Sequence, residues 1–277
     1  MAAMPTGAIA RTVVNGAPAD TVDARDRGFT LGDGVFETMR VTDGRVVAWS
    51  QHMARLRSGC RALGFDAPTE TTLASDARAA LEAGDEGVLR LTVTRGIGPR
   101  GYAPPAHPDP TRVATFQPGL PEPPRTGLRL RWCQTLLASH PQLARWKHLN
   151  RLEQVIARSE WDDPAIAEGL MCSIDGRLIE CSSSNIFWVR GGALITPDLR
   201  DCGVAGVMRG QVIETAQTLG WRVVVRDAAP DELADADEVF ITSAVRRIAP
   251  VERLASQQWD APGALTRRLQ QAVDAQP

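Results

Sequence analysis

The sequence predicts an α+β protein of two domains, and three observations carry that reading. Strand-like segments come as hairpin pairs joined by Asp-Gly or Gly-Gly. Helical segments are segregated from them, unlike the alternation of a βαβ dinucleotide fold. Nine of the 19 prolines fall between Pro99 and Pro124, ending in Leu120-Pro121-Glu122-Pro123-Pro124. Such a stretch excludes a helix or a central strand and reads as a long loop leading into a semi-rigid linker. The expected organisation is an N-terminal α+β domain over 1–117, a linker over 118–126 and a C-terminal α+β domain over 127–277.

In the first half, Ala8 to Val14 and Val35 to Val41 read as strands, and Asp43-Gly44 turns the second into Arg45 to Trp49. Ser50 is the expected N-cap of a helix carrying His52, Leu56 and Cys60 on one side and ending at Gly64. Leu73 to Ala83 is a second helix, stopped by Gly84, and Val88 to Thr94 alternates as a strand. In the second half Leu128 to Cys133 is strand-like. Leu149, Leu152, Val155 and Ile156 fall at helical spacing, so a helix of about three turns is expected just after Lys147. Two hairpins follow. Leu170 to Ile174 turns at Asp175-Gly176 into Arg177 to Cys181, and Ile186 to Val189 turns at Gly191-Gly192 into Ala193 to Thr196. A helix from Val207 to Leu219 closes on Gly220. Trp221 to Val225 and Glu238 to Thr242 are the last strands, and a helix over 263–273 completes the pattern.

A chain of 277 residues, 43% of them hydrophobic, can bury a large core. With 33 acids against 31 bases and no basic run longer than Arg246-Arg247 or Arg267-Arg268, it lacks a nucleic-acid footprint. No apolar run approaches the ~20 residues of a membrane span, and Met1 to Gly7 lacks a signal-peptide pattern. A cytoplasmic protein without nucleic-acid or membrane partners is expected. Five scattered cysteines with no C-x-x-C pair argue against a disulfide framework or a zinc site, and no metal is expected.

Of the 31 basic residues, 30 are arginine and one is lysine, Lys147. Arginine replaces lysine at a solvated surface, but not where a neutral primary amine must attack a carbonyl, because guanidinium stays protonated. Lys147 is therefore a candidate Schiff-base residue, with chance survival as the alternative. Gly203-Val204-Ala205-Gly206-Val207-Met208-Arg209 opens a helix, whose N–H groups and dipole suit a phosphate, although helix-opening glycines are common. Arg55 is either a bidentate clamp for the same phosphate or a solvated helix arginine. Glu180 precedes Cys181-Ser182-Ser183-Ser184-Asn185. It is either an edge-strand surface residue or a carboxylate that keeps a pyridine nitrogen protonated, as the electron sink of pyridoxal phosphate requires.

Together, Lys147-His148-Leu149-Asn150-Arg151-Leu152-Glu153, Glu180 through Phe187 and Gly203 through Arg209 resemble the fold-type IV pyridoxal-phosphate enzymes, the class IV aminotransferase family, in order and spacing. Asp26 through Thr38 and His52-Met53-Ala54-Arg55-Leu56 fit too, so the resemblance runs from about Val14 to Val251. It implies a two-domain D-amino-acid transaminase-like architecture, pyridoxal 5'-phosphate as cofactor, and a homodimer with its sites near the two-fold interface. Lys-His-Leu-Asn-Arg at 147–151 and Arg95 through Tyr102 look most like the 4-amino-4-deoxychorismate lyase branch, which makes 4-aminobenzoate and pyruvate in folate synthesis. Transamination of D-amino acids, branched-chain amino acids or (R)-amines is the alternative. Asn150-Arg151 stand where branched-chain enzymes usually carry a glycine-rich segment and a tyrosine, and Tyr102 is the single tyrosine here. D-amino-acid transaminases stay open, since an arginine like Arg100 binds a substrate carboxylate there as well.

The resemblance assigns roles. Lys147 would hold the cofactor covalently and move the substrate proton. Glu180 would pair with the pyridine nitrogen. Arg55, with the backbone N–H groups of Val207 and Met208 beyond Gly206, would hold the phosphate, and Val204 would pack on the ring. Ser243 would line the site near phosphate or substrate. Thr38 matches a position where a hydroxyl helps protonate departing enolpyruvate; the alternative is a strand threonine bonded to backbone. Arg100, Asn150 and Arg151 are candidate substrate residues, the arginines alternatively mere ion-pair partners, and His148 is expected to be structural.

Overall fold

The computed structural model describes residues 10–121 and 127–275. Its contacts divide the chain into two units. One runs to Pro121 and takes in Trp146–Asn150; the other comprises the segment ending at Arg145 and everything from Arg151 onward. The lysine-bearing segment, expected in the C-terminal domain, thus packs within the N-terminal unit. Of the expected linker, residues 122–126 lie outside the described residues, as do Ala8 and Ile9 of the first expected strand.

In the N-terminal unit, β1 (Arg11–Val14), β2 (Ala17–Pro18), β3 (Gly34–Thr42), β4 (Arg45–Val46), β5 (Gly87–Thr94) and β6 (Arg112–Pro118) form a six-stranded sheet in the order β2-β1-β6-β5-β3-β4. All its pairings are antiparallel. Asp43 and Gly44, at φ 50° and 69°, give the doubly left-handed turn whose twist suits a two-residue hairpin. One sheet face (Val35, Met39, Val41, Leu89, Leu91, Val93) packs on Met53, Leu56 and Cys60 of α2 (Trp49–Ala62) and Leu73 and Ala77 of α3 (Glu70–Ala80). Strand alternation turns Phe36 and Thr38, with Thr92 and Arg90 opposite them, away from that core.

Three expectations fail here for identifiable reasons. β6 is a central strand, between β1 and β5, inside the proline-rich stretch. Pro110 precedes it and Pro118 ends it, so residues 112–117 keep every ladder N–H. Ser50 is not the N-cap of α2: Ala48 is, at φ 56°, with no side-chain cap, and the strand ends at Val46 because Trp49 already belongs to the helix. α3 starts earlier than its apolar spacing suggests, because the Thr69 hydroxyl accepts from the Thr72 N–H at 3.2 Å.

In the C-terminal unit, β7 (Leu128–Trp132), β8 (Ile166–Cys172), β9 (Leu178–Cys181), β10 (Asn185–Arg190), β11 (Ala193–Pro197), β12 (Val223–Arg226), β13 (Glu238–Ser243) and β14 (Arg247–Leu254) run in the order β12-β11-β10-β13-β14-β7-β8-β9. β15 (Gln257–Gln258) pairs with β14. β9 pairs back onto β10 through Glu180 and Asn185, closing the sheet into a barrel. Leu130, Leu170, Ile186, Trp188, Ile241 and Val251 share one core. Phe187, Val189, Leu194 and Phe240 face the other way, onto α5 (Val207–Thr218) and α6 (Ala264–Asp274). α4 (Leu152–Arg158) is shorter than expected, and its apolar stripe is not a core face: Leu152, Val155 and Ile156 are 74%, 61% and 54% exposed. β6 and β14 have no counterpart in the sequence pattern, whereas both hairpins and α5 do. The five cysteines are unpaired, and burial pushes the Cys60, Cys133 and Cys202 thiols up to about 12, unsuited to nucleophilic work.

Candidate active site

Lys147 lies on an extended segment that pairs with the start of β3. Its carbonyl accepts from the Phe36 N–H at 2.8 Å, Leu149 N–H donates to the Gly34 carbonyl at 3.0 Å, and His148 bridges Val35. This pairing is why the helix expected just after Lys147 starts only at Leu152. It also explains Gly34, where a Cβ would stand 2.6 Å from the Val93 carbonyl and 2.9 Å from Leu149 Cδ1. Lys147 Nζ sits over the Phe36 ring, 4.6 Å from its centroid, and the Arg90 guanidinium carbon lies 3.9 Å from the same centroid. Thr38 pairs directly with Arg90 in the β3–β5 register. The lysine amine, a hydroxyl and a second cation therefore share the face turned away from the core. The sequence does not single out Phe36 or Arg90, because only strand register aligns them with Thr38.

Arg55, on α2, is not a solvated helix arginine. Its side chain is 11% exposed and grips Glu37: Nε donates to Oε1 at 2.8 Å, and Nη2 donates to Oε2. His52 Nδ1 meets the same Oε2 at 2.7 Å. Burial alone would raise the Glu37 carboxyl, but the Arg55 charge and hydrogen bonds from Arg55 and His52 outweigh it and hold the group below its ordinary value. Glu37 and His52 thus fix Arg55 in place. Asn150 holds the lysine segment to the chain before β3, its Nδ2 donating to the Gly32 carbonyl at 3.1 Å. Arg151 is the N-cap of α4, accepting there from Val155 N–H at 3.0 Å. Arg100 is exposed in the loop from β5 to β6.

The C-terminal unit holds a constellation of its own. Glu180 is 5% exposed, and its Oε2 accepts from the Val204 N–H at 2.9 Å and from Asn185 Nδ2 at 3.1 Å. It is no surface glutamate. The Asn185 amide braces the whole turn, donating to the Val204 carbonyl at 2.8 Å and accepting from Gly206 N–H at 3.1 Å. Arg145, two residues before Lys147 in the chain, bonds the turn from its other edge through Gly203 and Ala205. Gly203 sits at φ 82°, with Ile179 and Leu199 side-chain atoms 2.9 Å from where a Cβ would be, so both conformation and space require glycine. At Gly206 a Cβ would meet Asn185 Oδ1 at 2.2 Å.

Gly206 then caps α5 without a side-chain hydrogen bond, so the first-turn N–H groups at Val207 and Met208 are offered to an external acceptor. An uncapped twelve-residue helix beside a braced glycine turn and a buried carboxylate fits a phosphate and a protonated ring nitrogen. Ser243 serves the next turn, its Oγ accepting from Arg246 N–H at 3.1 Å. Among the described residues no group of three or more His, Cys, Asp or Glu side chains is disposed to hold a metal, and no helix is long and apolar enough to cross a membrane.

The family model for amino-transferase class IV matches residues 34–254. The chain belongs to the class IV aminotransferase family. Within it, the chain is similar to aminodeoxychorismate lyase of Vibrio harveyi, 35% identical over 93% of this chain and 97% of the relative. The crystal structure of 4-amino-4-deoxychorismate lyase from Pseudomonas aeruginosa superposes with a TM-score of 0.86 at 45% identity, covering 94% of this chain and 97% of that one. D-alanine aminotransferase of Bacillus licheniformis is 29% identical over 91% and 90%. The fold-type IV resemblance and its α+β architecture are thereby confirmed for this class IV chain.

Proposed function

We propose that this class IV enzyme is a pyridoxal 5'-phosphate-dependent lyase that converts 4-amino-4-deoxychorismate into 4-aminobenzoate and pyruvate, a step of folate synthesis in the cytoplasm. The observation that carries it is the face shared by Lys147, Thr38 and Arg90: an amine to move a proton, a hydroxyl to return one and a cation for a carboxylate. The lyases of similar sequence, at 35% and 45% identity, support it over the 29% identical transaminase.

Bound pyridoxal phosphate supplies an electron sink for the pair released when a C–H bond breaks beside the substrate nitrogen. Lys147 would hold that cofactor and then take the proton from the carbon bearing nitrogen. Glu180, oriented by Asn185 and Val204 N–H, would keep the ring nitrogen protonated. Arg55 and the first-turn N–H groups of α5 would hold the phosphate, with Val204 against the ring. Loss of the proton and departure of enolpyruvate from the neighbouring carbon make the substrate ring aromatic, so this branch runs downhill. Thr38 would give the departing group its proton, and Arg90, with Arg100, would meet substrate carboxylates.

A homodimer is part of the proposal: the exposed Leu152, Val155 and Ile156 of α4 suit burial against a second copy. The test uses purified protein, pyridoxal phosphate and substrate generated in situ by a separate synthase. Equal, enzyme-dependent release of 4-aminobenzoate (by fluorescence) and pyruvate (by a coupled assay) is expected. Amino transfer from D-alanine to an α-keto acid, without 4-aminobenzoate, would replace the lyase with the transaminase.

A further inference from the structure

The connection from β5 to β6, residues 95–111, carries no helix or strand, a length that points to function rather than mere linkage. It wraps around one buried cation. Arg27, in the short helix α1 (Arg27–Leu31), is 5% exposed. Its Nη1 donates to the carbonyls of Gly101 (3.2 Å) and Ala103 (3.1 Å), and its Nη2 donates to that of Tyr102 (3.0 Å). Nε donates to Asp33 Oδ2 at 2.8 Å. Gly98 passes so close that a Cβ there would stand 2.6 Å from Arg27 Cδ.

Three consecutive carbonyls turned toward one point repel one another unless a cation lies between them. A planar guanidinium can satisfy all three and still pair with a carboxylate; an ammonium, with three donors on one atom, cannot reproduce that fork. The cation is itself anchored. Asp33 also binds Arg95, at 2.7 Å to Nε and 3.1 Å to Nη2, and Arg95 reaches the Gly64 carbonyl at 3.2 Å. Burial raises the Asp33 carboxyl, yet the two arginines outweigh it and hold the group below its ordinary value. With its carbonyls drawn inward, the segment leaves Arg100 exposed and Tyr102 87% exposed.

We propose that Arg27 is a positioning residue of the substrate site, setting residues 98–103 so that Arg100 is presented to a substrate carboxylate. This rests on the reading of Arg100 as a substrate residue. A loop ordered before substrate arrives does not deduct its ordering entropy from affinity, so the effect falls on substrate capture and not on proton transfer.

The experiment is a double-mutant cycle on the holoenzyme with Arg27→Gln, Arg100→Gln and the pair, alongside Arg27→Lys and limited trypsin cleavage after Arg100, located by mass spectrometry. Arg27→Gln is expected to raise KM about tenfold, the scale of one charge-assisted hydrogen bond, and to change kcat less than about twofold. Arg27→Lys is expected to match it. In the Arg100→Gln background, Arg27→Gln should change KM less than about twofold, because the two act as one unit. Trypsin, which needs a loosened loop, should cleave after Arg100 faster in Arg27→Gln. Equal KM effects in both backgrounds, an unchanged KM, restoration of KM by Arg27→Lys, or an unchanged rate of cleavage after Arg100 would each overturn the proposal. If Arg100→Gln alone leaves KM unchanged, the Arg100 reading and this proposal fall together while the lyase stands. If the wild type makes no 4-aminobenzoate, the cycle is read on D-alanine, which presents the same carboxylate chemistry, so the two failures stay distinct.

Discussion

Glu37→Gln keeps side-chain shape and removes one negative charge from a carboxylate that is 1% exposed. In the wild type its oxygens accept from Arg55 Nε at 2.8 Å, from Arg55 Nη2 and from His52 at 2.7 Å. The glutamine amide turns two donors toward donors, and the Arg55 guanidinium, with a side chain 11% exposed, loses the charge of this carboxylate. Removing one partner of a buried pair costs about 3–5 kcal/mol, and the residual exposure of Arg55 places this case near about 3 kcal/mol. For a unit of this size, that lowers the unfolding midpoint by about 10 °C. The pH dependence has a definite sign. Burial raises the Glu37 pKa and its two partners more than reverse that, so the folded value is depressed. The stabilisation is therefore present above the unfolded pKa of about 4.3 and lost as pH falls through the folded one. Urea unfolding of wild type and variant, followed at pH 7 and then at steps below pH 5, should show a gap that narrows as the solution becomes more acidic. A gap under about 1 kcal/mol at pH 7, the level of an exposed pair, or one that does not change with acid, would refute the reasoning.

Three further outcomes are expected. Lys147→Ala should abolish the visible absorbance of lysine-bound pyridoxal phosphate, and a retained band would remove Lys147 from its role. Glu180→Gln should keep cofactor bound but slow proton removal on the order of a hundredfold, within the range of positioned acid–base groups; single-turnover rates near wild type would contradict this. Gly206→Ala forces Asn185 away, since the new Cβ meets Oδ1 at 2.2 Å. A cost of about 1–3 kcal/mol and weaker pyridoxal phosphate binding should follow, measured by fluorescence titration, and unchanged affinity would show that the turn does not hold the phosphate.

The chemistry-bearing residue types were legible in the chain, and their partners were not. Lys147 stood out because arginine cannot supply a neutral amine, Glu180 by its place before a serine turn, and Gly203 through Arg209 as a glycine turn opening a helix. Nothing local revealed that Asn185 would clamp that turn, that Glu37 and His52 would hold Arg55, or that Arg90 would lie over the same ring as Lys147. Each pairing depends on strand register or on two elements meeting. Periodicity misled at α4 for a related reason: Leu152, Val155 and Ile156 form an apolar stripe that is exposed in the single chain. Proline count misled at β6, because what matters is whether a proline interrupts the hydrogen-bonded stretch, and here the prolines bracket it.

By itself the sequence determined the local conformations and the inventory of reactive groups, through turn chemistry at Asp43-Gly44, glycine at 203 and 206, and one lysine among the bases. Only the tertiary structure decided which unit carries Lys147, which carboxylates are buried, and which charges are paired. Backbone preference acts over a few residues, whereas burial and ion pairing are set by groups far apart in the chain. Arg27 shows the difference: an unremarkable arginine beside Asp26 in sequence, it is buried in the fold at the centre of three carbonyls more than seventy residues away.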